Sequence, residues 1–90
     1  MKYLIIGVES KKGTYQNISY DNTVLHTISD LESSKGFGKA CYTVSLKTSI
    51  LDNYLKSQGI KASDLVSSKY YLTNVLYDKY RKVAFIEFEK

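Results

Sequence analysis

Residues Tyr70–Phe88, YYLTNVLYDKYRKVAFIEF, have the composition of a β-hairpin. Two runs of β-branched and aromatic residues flank a short polar segment, Asp78–Lys82, which is expected to form the hairpin tip. The tip holds three positive charges, one negative charge and the aromatic ring of Tyr80. A hairpin loop does not need a large apolar ring. A ring among cations suits a nucleic-acid base with its phosphate.

The first strand is predicted at Lys2–Glu9, where the apolar run is continuous enough to be covered on both faces. Gly7 lies inside this run and marks a bend or a bulge. Ser10–Gly13 is expected to be the turn that follows, since it contains two lysines and ends in a glycine that can take a positive φ.

A second strand is predicted from Thr14 to Ile28, with a bulge or break at Asp21-Asn22. Ser29–Lys39 is the most loop-like segment, since it is rich in serine, glycine and charge. Ala40–Lys47 alternates cleanly and predicts a third, half-buried strand. Its apolar face carries Tyr42, Val44 and Leu46, and its polar face carries Cys41, Thr43, Ser45 and Lys47.

One helix is predicted at Ser49–Gln58. Ser49 is expected to cap its start, Gly59 follows at the position of a C-terminal cap, and Ile60 can pack back over the last turn. Residues 62–66 are expected to form one further helical turn. The apolar stripe of the helix consists of Ile50, Leu51, Tyr54 and Leu55.

The order of elements is strand, strand, strand, helix, strand, strand. This order predicts a mainly β protein, a five-stranded OB-like barrel with one helix between strands 3 and 4, in which residues 1–90 form a single domain. The alternative is an open five-stranded α+β sheet with the helix on one face. No internal repeat, linker or second domain is apparent in the sequence.

The composition is that of a mildly basic globular protein. The chain has 90 residues, a formal charge of +4 and nine tyrosines, and it contains no proline. This charge permits an anionic partner without requiring one. With one cysteine, no apparent signal peptide and no apolar run of membrane-spanning length, a cytoplasmic protein without membrane contact is expected.

Residues for catalysis are scarce. His26 and Cys41 are the only candidates for nucleophilic chemistry, and they lie on separate predicted strands. No cluster has the spacing of zinc ligands, no acidic pair is evident, and the glycines around Phe37 do not form a phosphate-binding motif. The sequence therefore predicts neither an enzyme nor a cofactor.

Residues for binding are better represented, because each predicted loop pairs cations with an aromatic ring. In an OB-fold the ligand contacts strands 2 and 3 and the loops between strands 1 and 2 and between strands 4 and 5. Cations can follow the phosphates of a single strand while flat rings stack on its bases. The candidate nucleic-acid-binding residues are Lys11, Lys12, Tyr15, Tyr20, Lys35, Phe37, Lys39, Lys47, Lys79, Tyr80, Arg81 and Lys82.

The chain resembles the small single-stranded-DNA-binding (helix-destabilising) proteins of filamentous phages. The likeness lies in Lys69–Thr73, the basic aromatic loop after it and Val83–Phe88, and also in the first strand with its basic segment Lys11–Gly13. The resemblance implies an OB-fold homodimer from a phage or mobile element that coats single-stranded DNA cooperatively. It implies that Tyr80 stacks on DNA together with one of Tyr15, Tyr20 and Phe37. The well-formed helix and the Lys35–Lys39 loop depart from that family's pattern.

The expected function is sequence-independent binding of single-stranded DNA through base stacking and phosphate contacts. Two alternatives remain open from the sequence. One is an RNA-binding OB-fold. The other is a small protein-interaction module, such as a phage accessory or inhibitor protein, whose exposed rings anchor an interface.

Overall fold

Five antiparallel strands form one sheet, in the order β3-β2-β1-β4-β5. The computed structural model describes residues 2–30 and 35–90. A mainly β fold with a helix between the third and fourth strands is confirmed. Within the described residues no hydrogen-bonded ladder joins β3 to β5, although Cα atoms of these two edge strands come within 8 Å of each other. The elements are β1 (Tyr3–Tyr15), β2 (Ile18–Asp30), β3 (Lys39–Lys47), α1 (Thr48–Gln58), α2 (Ala62–Ser67), β4 (Tyr71–Tyr77) and β5 (Val83–Glu89).

The β1–β2 hairpin is longer than the sequence suggested, and the turn predicted at Ser10–Gly13 is wrong. Lys11 and Lys12 belong to β1, and the chain reverses at Gln16 and Asn17. These two residues have φ values of 49° and 65°, as a two-residue type I′ loop requires. The hairpin therefore projects as an arm. The turn forms the tip of this arm, and side chains of both strands lie beside the turn.

Gly13 is not a turn residue; its role in this arm is in side-chain packing. It lies directly opposite Tyr20, and a Cβ at Gly13 would come within 2.7 Å of the Tyr20 hydroxyl oxygen. The glycine thus leaves room for the tyrosine ring to lie across β1. Sequence alone suggests a turn because glycine also favours turns.

The predicted second strand also needs correction. β2 begins at Ile18 instead of Thr14, and it runs without a break through Asp21 and Asn22. Both residues pair with β1, and the Asp21 carboxylate accepts a hydrogen bond from the Thr48 hydroxyl at 2.8 Å. The bulge expected at Gly7 is confirmed, since the β1–β2 register shifts between Ile5 and Gly7.

The core lies between the inner face of the sheet and the two helices. On β2 the buried residues alternate with partly exposed ones from Thr23 to Ser29, which fixes that face inward. α1 packs against β2, β3 and β5, and α2 packs against β1. No helix among the described residues is both long and apolar enough to span a bilayer. The buried cluster consists of Ile5, Leu25, Leu46, Leu51, Leu55, Leu65, Leu72, Val83, Ile86 and Phe88.

α1 ends as predicted. Gly59 has a φ of 67°, and the Ile60 amide donates to the Leu55 carbonyl at 3.1 Å, which is the Schellman arrangement. In the middle of the helix, the Tyr54 hydroxyl donates to the Phe88 carbonyl at 3.1 Å and accepts from the Phe88 amide at 3.2 Å. The helix is therefore tied to the last residues of β5.

α1 does not begin as predicted, because Ser49 makes no capping hydrogen bond and the N-cap position is Lys47. Thr48 fixes the start instead. Its hydroxyl donates to Asp21, so its oxygen is free to accept from the buried Thr23 hydroxyl at 2.9 Å. This chain of hydrogen bonds joins the first residue of the helix to β2.

Removing this connection should destabilise the fold. We expect Thr48→Val to lower the free energy of unfolding by about 1–3 kcal/mol, because the buried Thr23 hydroxyl loses its partner. The matched control is Ser49→Ala, which should change stability by less than about 0.5 kcal/mol, as for other exposed substitutions. Urea denaturation followed by circular dichroism measures both. Equal effects of the two variants would contradict the role given to Thr48.

Candidate nucleic-acid interface

Two of the predicted cations lie in one row across the sheet. Asn22 of β2 pairs with Lys11 of β1 on one side and with Lys47 of β3 on the other. Residues directly opposite each other project from the same face, so the two lysines share a face with Asn22 between them. Neighbouring strands are about 4.8 Å apart, which puts the Cα atoms of the lysines about 10 Å apart. We call this face of β1–β3 the outer face.

Aromatic rings extend the row along the arm. Tyr20 is two residues from Asn22 on β2 and therefore lies on the outer face, with 43% of its surface exposed. Tyr15 lies on the same face near the arm tip and is 70% exposed. Lys12 projects from the opposite face, where its ammonium lies 3.9 Å from the Asp21 carboxylate.

The tip of the β4–β5 hairpin is held by its one acidic residue. The Asp78 carboxylate accepts hydrogen bonds from the amides of Tyr80 at 2.8 Å and Lys82 at 3.0 Å. Its carbonyl accepts from the Arg81 amide at 3.0 Å, and its amide donates to the Lys82 carbonyl at 2.8 Å. The Asp78 side chain is therefore engaged with the backbone, and the hairpin expected at this position is confirmed.

The side chains of this tip are available to a ligand. Tyr80 is 70% exposed, and the Lys79 ammonium lies 5.1 Å from the centre of its ring. Arg81 has a φ of 63°, a left-handed conformation that a non-glycine residue adopts at a cost. Strain of this kind is frequent where a side chain is held for binding.

The row and the tip meet in a cleft of about 380 Å³ at the end of β3. The cleft brings Lys47 of the outer-face row together with Arg81 and Lys82 of the tip, and Asn22 and Ser45 add polar groups. The sequence does not mark Asn22 or Ser45 as binding residues, because only the strand register places them beside these cations. The lining residues are Asn22, Ser45, Leu46, Lys47, Ile50, Asp78, Arg81, Lys82, Val83 and Ala84.

The third predicted group, Lys35, Phe37 and Lys39, lies elsewhere. Lys39 and Lys47 are at opposite ends of β3, about 26 Å apart along an extended strand. Phe37 is 99% exposed. The expected loop Ser29–Lys39 is shorter, since its first two residues belong to β2 and its last to β3, while residues 31–34 lie outside the described part.

Lys39 is paired with an acidic neighbour. Its ammonium donates a hydrogen bond to the Asp30 carboxylate, and this bond together with the positive charge of Lys39 lowers the pKa of Asp30. Lys12 is paired in a similar way with Asp21. In contrast, the other cations of the row and of the β4–β5 tip form no ion pair within the described residues. These cations are Lys11, Lys47, Lys79, Arg81 and Lys82.

Among the described residues no hydrogen bond joins His26 to Cys41, the two residues considered for catalysis. His26 contacts Glu9, with 3.3 Å between the imidazole Nε2 and a carboxylate oxygen. Cys41 is a free, exposed cysteine on β3. In residues 2–30 and 35–90 no three His, Cys, Asp or Glu side chains are grouped so that they could hold a metal ion.

No protein-family model matches the chain, and no curated protein or solved structure is significantly similar to it.

The strain at Arg81 gives a test of the tip geometry. We expect Arg81→Gly to raise the free energy of unfolding by about 0.5–1 kcal/mol, because the left-handed conformation costs about 1–2 kcal/mol and the greater freedom of glycine in the unfolded chain offsets part of this. The control is Lys79→Gly in the same tip, where φ is not positive. That variant should lose about 0.4–1 kcal/mol. Thermal unfolding measures both, and a destabilised Arg81→Gly would show that the tip is held differently.

Proposed function

We propose that this protein binds single-stranded nucleic acid, DNA in the first place, without sequence specificity. One observation carries the proposal. The row of Lys11, Asn22 and Lys47 leads into the cleft that also contains Arg81 and Lys82. Cations from three separate segments thus converge on one side of the sheet, with exposed rings beside them.

The absence of a competing carboxylate supports an anionic ligand at this place. Lys47, Arg81 and Lys82 lie together at the cleft and form no ion pair among the described residues. The one acid at the cleft, Asp78, binds backbone amides. A phosphate backbone would supply the missing negative charge and release counterions as it binds.

The exposed rings favour a single strand over a duplex. Tyr20 and Tyr80 flank the cations on the arm side and the tip side, and both present ring surface to solvent. Stacking of an unpaired base on such a ring contributes about 1–3 kcal/mol and tolerates any base. A duplex hides its base faces and cannot use these rings.

We further propose that the sheet works as an OB-like barrel. Strand order supports this, since β1 pairs with both β2 and β4, and the edge strands β3 and β5 approach each other. The cleft then corresponds to the usual ligand position, on strands 2 and 3 beside the loop between strands 4 and 5. Lys35, Phe37 and Lys39 would contact only a strand that continues along β3.

Salt dependence tests the electrostatic part of the proposal. Fluorescence anisotropy with labelled oligo-dT should show affinity that falls steeply with salt, and duplex of equal length should bind more weakly. Lys47→Gln and Arg81→Gln should each lower the affinity and reduce the slope of log affinity against log salt by about 0.7. Lys56→Gln, on an exposed position of α1, is the charge-matched control and should leave that slope unchanged.

Stacking is tested by Tyr80→Ala. We expect this variant to weaken oligo-dT binding by about 5- to 150-fold while circular dichroism stays that of the wild type. Phe37→Ala is the comparison, since it removes a still more exposed ring, located beyond the end of β3 that is opposite to the cleft. Its effect should be smaller, and the reverse order would move the binding site to the β2–β3 loop.

The same assay separates the alternatives. Tighter binding of oligo-rU than of oligo-dT would make the protein an RNA-binding module. Absence of binding to any single strand at low salt would remove the proposal and leave a protein-interaction module as the function.

A further inference from the structure

An uncharged groove opens between β3 and β4, apart from the cation cleft. Its volume is about 350 Å³, at the small end of the range for ligand pockets. Buried Thr27 and Leu72 form its floor, beside the edge-to-face pair of Tyr3 and Tyr42, whose ring centres are 5.3 Å apart. Tyr77, 60% exposed, lies at the rim. The lining residues are Tyr3, Thr27, Tyr42, Thr43, Val44, Leu72, Thr73, Asn74, Val75 and Tyr77, and none is charged.

A second uncharged surface lies at the tip of the β1–β2 arm. Tyr15 and Ile18 are opposite each other across the turn, and each is 70% exposed. Residues 13–20 contain no charged side chain, although 24% of the chain is charged. Two large apolar side chains are therefore presented together at the end of a projecting hairpin, with the amides of Gln16 and Asn17 between them.

The arm cannot place its tip in the groove of its own molecule. Ile18 and Thr27 lie on the same strand, nine residues and about 30 Å apart. The ladder between β1 and β2 is continuous from Glu9–Val24 to Tyr15–Ile18, so the arm is stiff and does not fold back. Any contact between tip and groove must join two molecules.

We propose that the arm tip of one copy of this chain inserts into the groove of a second copy. Each copy has a formal charge of +4, so two copies carry net charge of the same sign and repel each other at long range. Tip and groove are two surfaces where they can meet without placing like charges together. Tyr15 and Ile18 would cover the apolar floor, and the turn amides would meet the polar rim at Thr43 and Asn74.

The contact joins two different surfaces, so it is heterologous and leaves one free tip and one free groove on every pair. Such a contact continues head to tail. It goes beyond the proposed function and requires no nucleic acid. A two-residue turn with two flanking side chains is smaller than the roughly 800 Å² per partner of a standard interface, so association should be weak and visible only at high concentration.

Sedimentation equilibrium without nucleic acid tests the contact, at concentrations from about 10 µM to about 1 mM, where weak complexes form. The mean mass of the wild type should rise with concentration beyond that of a dimer. Ile18→Glu at the tip and Tyr77→Glu at the rim should each remain monomeric. The matched controls are Ser19→Glu, next to Ile18 on the other face of the arm, and Leu76→Glu, next to Tyr77 but outside the groove. Both should associate like the wild type.

Mixing the two monomeric variants gives the sharper test. An equimolar mixture of Ile18→Glu and Tyr77→Glu keeps one intact tip and one intact groove, so it should form a dimer and stop there. A wild type that stays monomeric, or whose mass levels at a dimer, would overturn the proposal. So would a mixture that forms no dimer, or an Ile18→Glu variant that associates like the wild type.

Discussion

The register of β2 against its two neighbours is the constraint on which the candidate site depends. Lys11 and Lys47 lie on the same face because both pair with Asn22 in this register. A shift of β2 by one residue would turn every side chain of that strand to the other face. The buried alternation of Thr23, Leu25 and Thr27 fixes the inner face, and the two-residue turn at Gln16-Asn17 fixes the pairing with β1. The hydrogen bonds from Thr23 through Thr48 to Asp21 hold the start of α1 against β2.

The second half of the site comes from a distant part of the sequence. The β4–β5 tip reaches the end of β3, and Asp78 shapes it by accepting backbone hydrogen bonds instead of neutralising a cation. Arg81 takes a left-handed conformation there. A local cost in conformational energy thus accompanies the placement of Arg81 at the cleft. The arm, in contrast, ends in uncharged residues, so one sheet carries a basic surface and a neutral one.

The sequence was sufficient where local chemistry determines structure. The hairpin at Tyr70–Phe88, the strand β3 and the glycine cap of α1 follow from short-range patterns, and all are confirmed. The burial of β3 is less regular than predicted, since Tyr42 is 47% exposed. The sequence was insufficient where tertiary contacts determine the structure. Gly13 resembled a turn residue but makes room for the Tyr20 ring, and the real turn contains no glycine. The cleft could not be predicted from sequence, because Asn22 and Lys47 come together only through strand register and meet the β4–β5 tip only in the folded chain. Three equivalent basic loops were expected. In the structure Lys11 lies on β1 in the row that leads to the cleft, the β4–β5 tip lines the cleft, and Lys35–Lys39 lie apart.

Chemical-shift mapping tests the central claim most directly. Amide resonances of the ¹⁵N-labelled protein would be followed while unlabelled oligo-dT is added at low salt. The largest shifts are expected at Lys11, Tyr20, Asn22, Ser45, Lys47 and the Asp78–Lys82 tip, with α2 unchanged. Shifts confined to the β2–β3 loop or to the groove between β3 and β4, or no shifts at all, would contradict a binding surface formed by the outer face and the β4–β5 tip.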